Sequence, residues 1–392
     1  MKLACVIHRY GPRATGGSEA HCRAIALRLA SRHDVTVLTS CATDYVTWRN
    51  VLPPGESSDG PVRVVRFRVD RPRDLNRFRE LSELVFADCA THDEQTEWFR
   101  ANGPSLPGLL AHLSAHGRSY DRILFWAFRY APVWFGLPLV ADRAVLLPTA
   151  EDDELIRFSP LVGSFFSQPR TYLFLTPEER DLVASRCVGP LPPHEIVGAG
   201  LDRAPKAPTR EALDRLGLPD DFLLYLGRVD KNKGCDRLFD AFARYDEQVT
   251  AEGSSAPLPL VLAGPVVLPV PSHPRIRSLG FVDEGTREAL LQHALALVMP
   301  SRFESLSLVV LEAWNHGVPV IVNGRCAPLR GHILRADGGL FYDLPAEFVG
   351  AVRYLSAHRD VATRLGAQGL MHVEREYRWP TVMAKIEAAI AR

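Results

Sequence analysis

Apolar residues along this chain come in short solid runs more often than in alternation. The first run is Leu3 to Ile7, the pattern of a strand buried on both faces. A glycine-bearing loop follows, from Arg9 to Gly17, and then a stretch running from Ser18 to Ala30. There Ala24, Ile25, Leu27, Leu29 and Ala30 form an apolar face, with Arg23 and Arg28 outside it. That spacing predicts an amphipathic helix with Ser18 as its N-cap. Residues 35–39 read as the next strand. Strand, helix, strand is a right-handed βαβ unit and implies a parallel sheet.

The pattern continues with strands predicted at 62–67, 123–126, 144–147 and 172–175, and a mainly helical, irregular stretch from Arg71 to Gly117. Around 197–208 the composition turns to Gly, Ala and Pro, which reads as a linker. A second α/β pattern then begins. Its strands are predicted at 222–226, 260–263, 294–299 and 318–322, and its helices at 236–245, 286–294 and 307–316. Residues 250–259 read as a surface loop, and 346–392 as helical with a kink or break at Trp379-Pro380. The fold class expected is α/β, with two Rossmann-like parallel-sheet domains facing a cleft. The boundaries expected are 1–200, 201–375 and a terminal helix over 376–392.

Composition narrows the classes of function. The chain has 392 residues, 46% of them hydrophobic and 23% charged, with 46 basic and 46 acidic residues. A dedicated nucleic-acid binder shows a basic excess that is missing here. The seven cysteines form no C-x-x-C pair, which argues against a zinc ribbon or dithiol site and for reduced thiols in the cytoplasm. The apolar run before His8 is short for a signal peptide, and no window approaches roughly eighteen uninterrupted apolar residues. The histidines show no metal-ligand spacing, and His21 reads as helix surface. One basic stretch carries Arg63, Arg66, Arg68, Arg71, Arg73, Arg77 and Arg79, with Asp70 and Asp74 among them. It is either a peripheral contact to the inner, anionic face of a membrane or to a lipid-diphosphate, or a solvated face.

Two stretches carry candidate chemistry. Gly227-Arg228-Val-Asp-Lys231-Asn-Lys233-Gly234 leaves a strand and enters a helix, which is where ligands bind in an open α/β sheet. Arg228 and Lys233 bring two cations to a helix N-terminus, a fit for a diphosphate. The chain has only five lysines, and two of them are Lys231 and Lys233. The alternative is a solvated loop. The second stretch runs from Pro300 to Pro319. It places Glu304 in a loop before a helix that Gly317 ends. Glu312 lies among Val309, Val310, Leu311, Ala313 and Trp314, and a carboxylate so placed needs a partner. Sugar or ribose hydroxyls would serve. Plain capping by Glu304 and exposure of Glu312 is the other reading.

Together these residues resemble the retaining GT-B glycosyltransferases of family 4, over nearly the whole chain. The resemblance rests on Gly16-Gly17 before the first helix, G-R-x-x-x-x-K-G, Gly280-Phe281-Val282-Asp283 after a strand, and the Glu304/Glu312 pair spaced E-x7-E. It implies that Arg228 and Lys233 bind the diphosphate of a nucleoside-diphosphate sugar. Glu304 would meet the sugar hydroxyls beside the amides of Ser305 and Leu306, and Glu312 the ribose. The turn of Phe281, Val282 and Asp283 would lie by the base, and Gly16 and Gly17 would approach the diphosphate. It further implies transfer to a glycan, lipid-linked or small-molecule acceptor with retention, in glycan or glycoconjugate biosynthesis. No cofactor and no metal would be needed, because fixed cations and amides stabilise the leaving group.

One departure stands out. The resembled family has, in many members, a His-Asp or similar pair after the strand ending near Leu147, whereas this chain has Pro148-Thr149-Ala150-Glu151-Asp152-Asp153-Glu154. Glu151 is therefore a candidate to orient or deprotonate the acceptor hydroxyl, against an acidic first helical turn as the plain alternative. A catalytically inactive GT-B shell that binds nucleotide or scaffolds a partner is the competing reading. A nicotinamide oxidoreductase fails because G-x-G-x-x-G and a terminal acid on the second strand are both missing. No G-x-x-x-x-G-K-[ST] is present for a P-loop enzyme. A phosphorylase would need a pyridoxal-binding lysine, for which Lys385 in the terminal helix is poorly suited.

Overall fold

The computed structural model describes residues 1–12, 14, 16–205, 210–253 and 256–392. Arg13 and Thr15 of the first loop, 206–208 of the expected linker and 254–255 of the expected surface loop lie outside the described residues. The chain divides into two compact units. One comprises Met1–Ala199 with Val382–Arg392, the other Gly200–Thr381.

The first unit begins β1 (Lys2–Val6), α1 (Gly17–Leu29), β2 (Asp34–Ser40), β3 (Gly55–Asp59) and β4 (Val62–Phe67). Three helices follow: α2 (Leu75–Phe86), α3 (His92–Asn102) and α4 (Pro107–His116). Next come β5 (Arg122–Trp126), α5 (Ala131–Gly136), β6 (Ala144–Leu147), α6 (Glu154–Phe158) and α7 (Pro160–Phe166). β7 (Thr171–Phe174), α8 (Pro177–Ala184) and β8 (His194–Ile196) complete the run. The sheet order is β3-β4-β2-β1-β5-β6-β7-β8. Strands β1, β5, β6 and β7 are almost wholly buried, because helices cover both faces of a parallel sheet. An aromatic stack of Phe99, Trp134 and Phe165 fills one side, with ring centroids 3.4 and 4.5 Å apart.

Two expectations for this unit need correction. The sheet is mixed, since β3 pairs antiparallel with β4. Its sequence, Gly-Glu-Ser-Ser-Asp, is polar and exposed, as suits an edge strand, and so leaves no apolar signature. The first helix starts at Gly17 and its N-cap is Gly16, with no side-chain cap bond; Ser18 lies inside the helix.

The second unit runs α9 (Glu211–Arg215), β9 (Leu223–Leu226), α10 (Cys235–Glu252), β10 (Leu260–Ala263), β11 (Ile276–Ser278) and α11 (Glu284–His293). Then come β12 (Ala296–Met299), α12 (Leu308–Asn315), β13 (Val320–Asn323), α13 (Ala327–Ala336), β14 (Gly339–Tyr342), α14 (Pro345–Ala357) and α15 (Arg359–Glu376). α16 (Trp379–Ala391) closes the chain. Pro380 falls in the first turn of α16, so the Trp379-Pro380 pair marks a break, as a proline without an N–H allows. The sheet is wholly parallel, in the order β11-β10-β9-β12-β13-β14. Counted from its own first strand this is the order 3-2-1-4-5-6 of a doubly wound sheet, whose ligand crevice opens where the order reverses. In this unit the reversal lies between β9 and β12.

Candidate active site

The two predicted loops meet at that reversal. The loop after β9 carries Arg228 and Lys233, and the loop after β12 carries Glu304. Lys233 Nζ donates to Glu304 Oε1 at 2.7 Å, with both side chains largely buried. The first loop is pinned from inside. Asp230 accepts from the Lys233 backbone N–H at 2.8 Å and from the Arg228 guanidinium, and Tyr225 Oη donates to the Arg228 carbonyl at 2.7 Å. Gly234 caps α10 in the left-handed conformation, φ +74°. A Cβ there would lie 2.5 Å from the Pro300 carbonyl oxygen, so the two loops touch backbone to backbone.

The second loop is pinned as well. Asn323 Nδ2 donates to the Pro300 carbonyl at 3.1 Å. His332 Nε2 lies 2.7 Å from the Leu306 carbonyl oxygen. Burial drives the His332 imidazole down to about 3, so it is neutral and donates through Nε2. Ser307, expected to start the helix, is its cap residue, in a left-handed conformation with φ +69° and no side-chain cap bond. Lys233, Glu304 and the α12 N-terminus therefore share one place. A cation, a carboxylate and backbone amides can together receive a phosphate and a polyol.

Glu312 finds a partner within the protein. Its Oε2 meets Arg287 of α11. Burial raises the Glu312 carboxyl above the usual range, and Arg287 opposes that rise. Asp283 caps α11, accepting from Thr286 N–H at 2.9 Å, and this bond holds its carboxyl below the ordinary value. Beside it Phe281 is 79% exposed, a bare aromatic ring that a flat heterocycle could cover.

In the first unit the corresponding reversal lies between β1 and β5. There His8, just past β1, stacks on Tyr130, just past β5, with centroids 3.8 Å apart. Glu19, in the first turn of α1, accepts from His8 Nε2 at 3.0 Å and from Arg9. Burial opposes ionisation of Glu19, yet His8 and Arg9 hold its carboxyl down at about 2. Gly16 lies over that carboxylate, where a Cβ would come within 2.1 Å of Glu19 Oε2. Gly17 opens the helix. Glu151 is drawn to Arg129, Nη2 to Oε2 3.7 Å, and Asp153 lies closer to the same guanidinium at 3.0 Å. Asp153 also caps α6 by accepting from Ile156 N–H, and Asp152 pairs with Arg157.

A family model described as glycosyl transferases group 1 matches residues 220–358, which hold both pinned loops. An uncharacterized glycosyltransferase of Methanocaldococcus jannaschii is 25% identical over 351 residues, 82% of this chain and 80% of the relative. A GDP-mannose-dependent alpha-(1-6)-phosphatidylinositol monomannoside mannosyltransferase of Mycobacterium tuberculosis is 28% identical over 322 residues, 76% of each chain. Anabaena HepE, solved in complex with UDP-glucose, matches with a TM-score of 0.70 at 14% identity, covering 100% of this chain and 99% of that one. The chain has the GT-B fold of these structures, and its second unit resembles the group 1 glycosyl transferases over the matched residues.

Several groups at these two sites escaped the sequence. Asp230 and Arg287 read as ordinary polar residues of a loop and a helix, and only the fold shows what they hold. Glu179, 1% exposed, accepts from the backbone N–H groups of Ala150 and Leu175 at 2.7 and 2.6 Å. It thus ties down the segment that carries Glu151, and burial pushes its carboxyl up to about 8. His21 is a correction. It is buried, within 3.4 Å of Trp126 Nε1, not on the helix surface. The basic stretch is divided. Arg73 packs over Trp48 and Phe78, while Arg63, Arg71 and Arg77 lie near Glu56, Asp70 and Glu80. Among the described residues no helix is long and apolar enough to cross a membrane, and no cluster of three or more His, Cys, Asp or Glu is arranged to hold a metal.

Proposed function

We propose that this protein is a glycosyltransferase that moves a sugar from a nucleoside-diphosphate sugar to an acceptor hydroxyl, without a metal and with retention of anomeric configuration. The observation that carries the reading is the Lys233–Glu304 contact at the strand-order reversal of the second unit. In this reading the second unit is the donor-binding one. Lys233 and Arg228 receive the diphosphate, and on binding Lys233 exchanges its carboxylate for a phosphate oxygen. Glu304 is then released to accept hydrogen bonds from the sugar hydroxyls, beside the amides of Ser305 and Leu306. A fixed cation and oriented amides stabilise the departing diphosphate, each by about 3–4 kcal/mol if they act as oxyanion-hole donors do. Phe281, Val282 and Asp283 flank the base, and Glu312 takes the ribose. The first unit binds the acceptor, with Glu151 orienting its hydroxyl and Gly16 and Gly17 approaching the diphosphate.

The names of the relatives, with GDP-mannose in one and UDP-glucose in another, support a nucleotide-sugar donor. A phosphatidylinositol mannoside substrate in the first supports a glycoconjugate product. The seven free thiols are in keeping with the cytoplasm. A second reading, an inactive GT-B shell, draws on Glu151, which stands beside Arg129 where the family resemblance implies a His-Asp or similar pair.

The test is sugar transfer and nucleotide binding by purified Lys233→Ala and Glu304→Ala proteins, with and without EDTA. Each substitution should cut transfer at least about tenfold, from loss of one charge-assisted contact of about 1.5–3 kcal/mol, while EDTA should change nothing. Near-normal transfer by either variant removes the donor assignment. Loss on chelation that magnesium restores removes the metal-free mechanism. Nucleotide binding with no transfer from any donor favours the shell.

A further inference from the structure

We propose that Arg287 is a positioning residue for the donor nucleotide. It holds one oxygen of Glu312 and so leaves the other as the single acceptor offered to the ribose. This rests on the assignment of Glu312 to the ribose made above. Glu312 projects from α12, whose neighbouring side chains are apolar. Its Oε2 is shut from solvent against Arg287, yet the side chain as a whole stays 23% exposed. The exposed part therefore leads to the other oxygen.

Arg287 is itself held. Its Nη1 lies 3.3 Å from Glu284 Oε1 and 3.1 Å from Glu288 Oε1, and the second oxygen of Glu288 lies 2.7 Å from His316 Nε2 at the end of α12. The charged groups facing Glu312 are thus Arg287, Glu284 and Glu288 from α11, while α15 meets α12 through Gly369 against Trp314. Three carboxylates surround one guanidinium. A carboxylate that is both buried and among like charges takes up a proton unless a cation opposes it. A protonated Glu312 would lose the charge that makes it a strong acceptor for two vicinal hydroxyls. Arg287 need not touch the nucleotide to decide whether the nucleotide binds.

The experiment is calorimetric titration of the full chain with GDP and with UDP between about pH 5.5 and 8.5, for the parent, Arg287→Gln, Arg287→Lys and Glu312→Ala. Arg287→Gln keeps a donor and most of the volume but no charge. It should bind about tenfold more weakly at the acid end, since each unit of upward shift in Glu312 is tenfold, and should recover as pH rises. Arg287→Lys should restore the parent's pH profile. A structural role alone would weaken binding equally at every pH, and that result overturns the proposal, as does a lysine variant that keeps the glutamine profile. Should Arg287→Gln fail to fold, the lysine variant carries the test, because a profile displaced from the parent's refutes it. Glu312→Ala separates the layers. Parent-like binding by that variant sinks the ribose assignment, whereas loss there with no effect at Arg287 sinks only the present inference. Failure of both nucleotides to bind the parent sinks the donor site.

Discussion

Replacing Gly234 by alanine should part the two loops that bring Lys233 to Glu304. Gly234 sits at φ +74°, where an alanine costs about 1–2 kcal/mol. The added Cβ would also lie 2.5 Å from the Pro300 carbonyl oxygen, roughly 0.8 Å inside an ordinary carbon–oxygen contact of about 3.3 Å. That oxygen belongs to backbone and already accepts from Asn323, so it cannot swing aside as a side chain would. Overpacking of this kind adds about 1–3 kcal/mol, for a total near 2–5 kcal/mol. A retreat of the loop by that 0.8 Å would stretch the 2.7 Å contact of Lys233 beyond good hydrogen-bond length. Gly253, at the other end of α10, is the control. It is also left-handed, φ +64°, with no described residue within 4 Å of its would-be Cβ. Gly253→Ala should therefore lose only the conformational 1–2 kcal/mol. Urea melts followed by fluorescence, with nucleotide titration of each variant, measure both effects. Equal losses at the two glycines, with nucleotide affinity unchanged at Gly234, would show that the contact between the loops does not matter.

Two further expectations concern buried titratable groups. Glu179 has a folded pKa of about 8 against about 4.5 unfolded, so the folded state binds the extra proton between those values. Its contribution to stability is full below about pH 4.5 and is lost as pH rises through about 8, by up to about 1.4 kcal/mol per unit. Glu179→Gln, which cannot titrate, should flatten that fall in melts at pH 5, 7 and 8.5, and parallel curves for the two proteins would contradict it. His332→Phe removes the donor to the Leu306 carbonyl and should cost about 1–3 kcal/mol. Because the imidazole is neutral down to about pH 3, that loss should be constant from pH 5 to 8, and a loss that titrates near pH 6 would mean a charged histidine.

Most of the strands legible in the sequence are those whose burial is complete, although β4, read over 62–67, is only partly buried. β1, β5, β6, β9, β10 and β12 each read as a solid apolar run because helices cover both faces of the sheet. β8, β11 and β14 are three or four residues long and partly exposed, and β3 has no apolar residue at all. Only pairing with a neighbour defines them, and pairing is not written locally. The candidate site divides in the same way. Lys233 and Glu304 were readable because each lies between a strand and a helix. Arg287 was not, because on α11 it looks like any solvated arginine until α12 brings Glu312 to it. The His8–Glu19–Arg9 group hid for a similar reason, since its members sit on a strand end, a loop and a helix turn. His21 misled because an amphipathic reading of α1 allows one buried face, whereas the helix buries His21 and Glu19 as well as Ile25 and Leu29.

The terminal segment 382–392 belongs to the first unit. There Val382, Ile386 and Ile390 are buried, Glu387 lies 2.8 Å from His33, and Arg392 reaches Glu195 and receives Arg170. During synthesis the first 199 residues therefore emerge with an apolar strip uncovered, and its cover arrives only after all of the second unit has left the ribosome. A nascent chain of this kind depends on chaperones longest for the part that was made first. A stop codon or frameshift near the end would injure the beginning of the protein more than the middle.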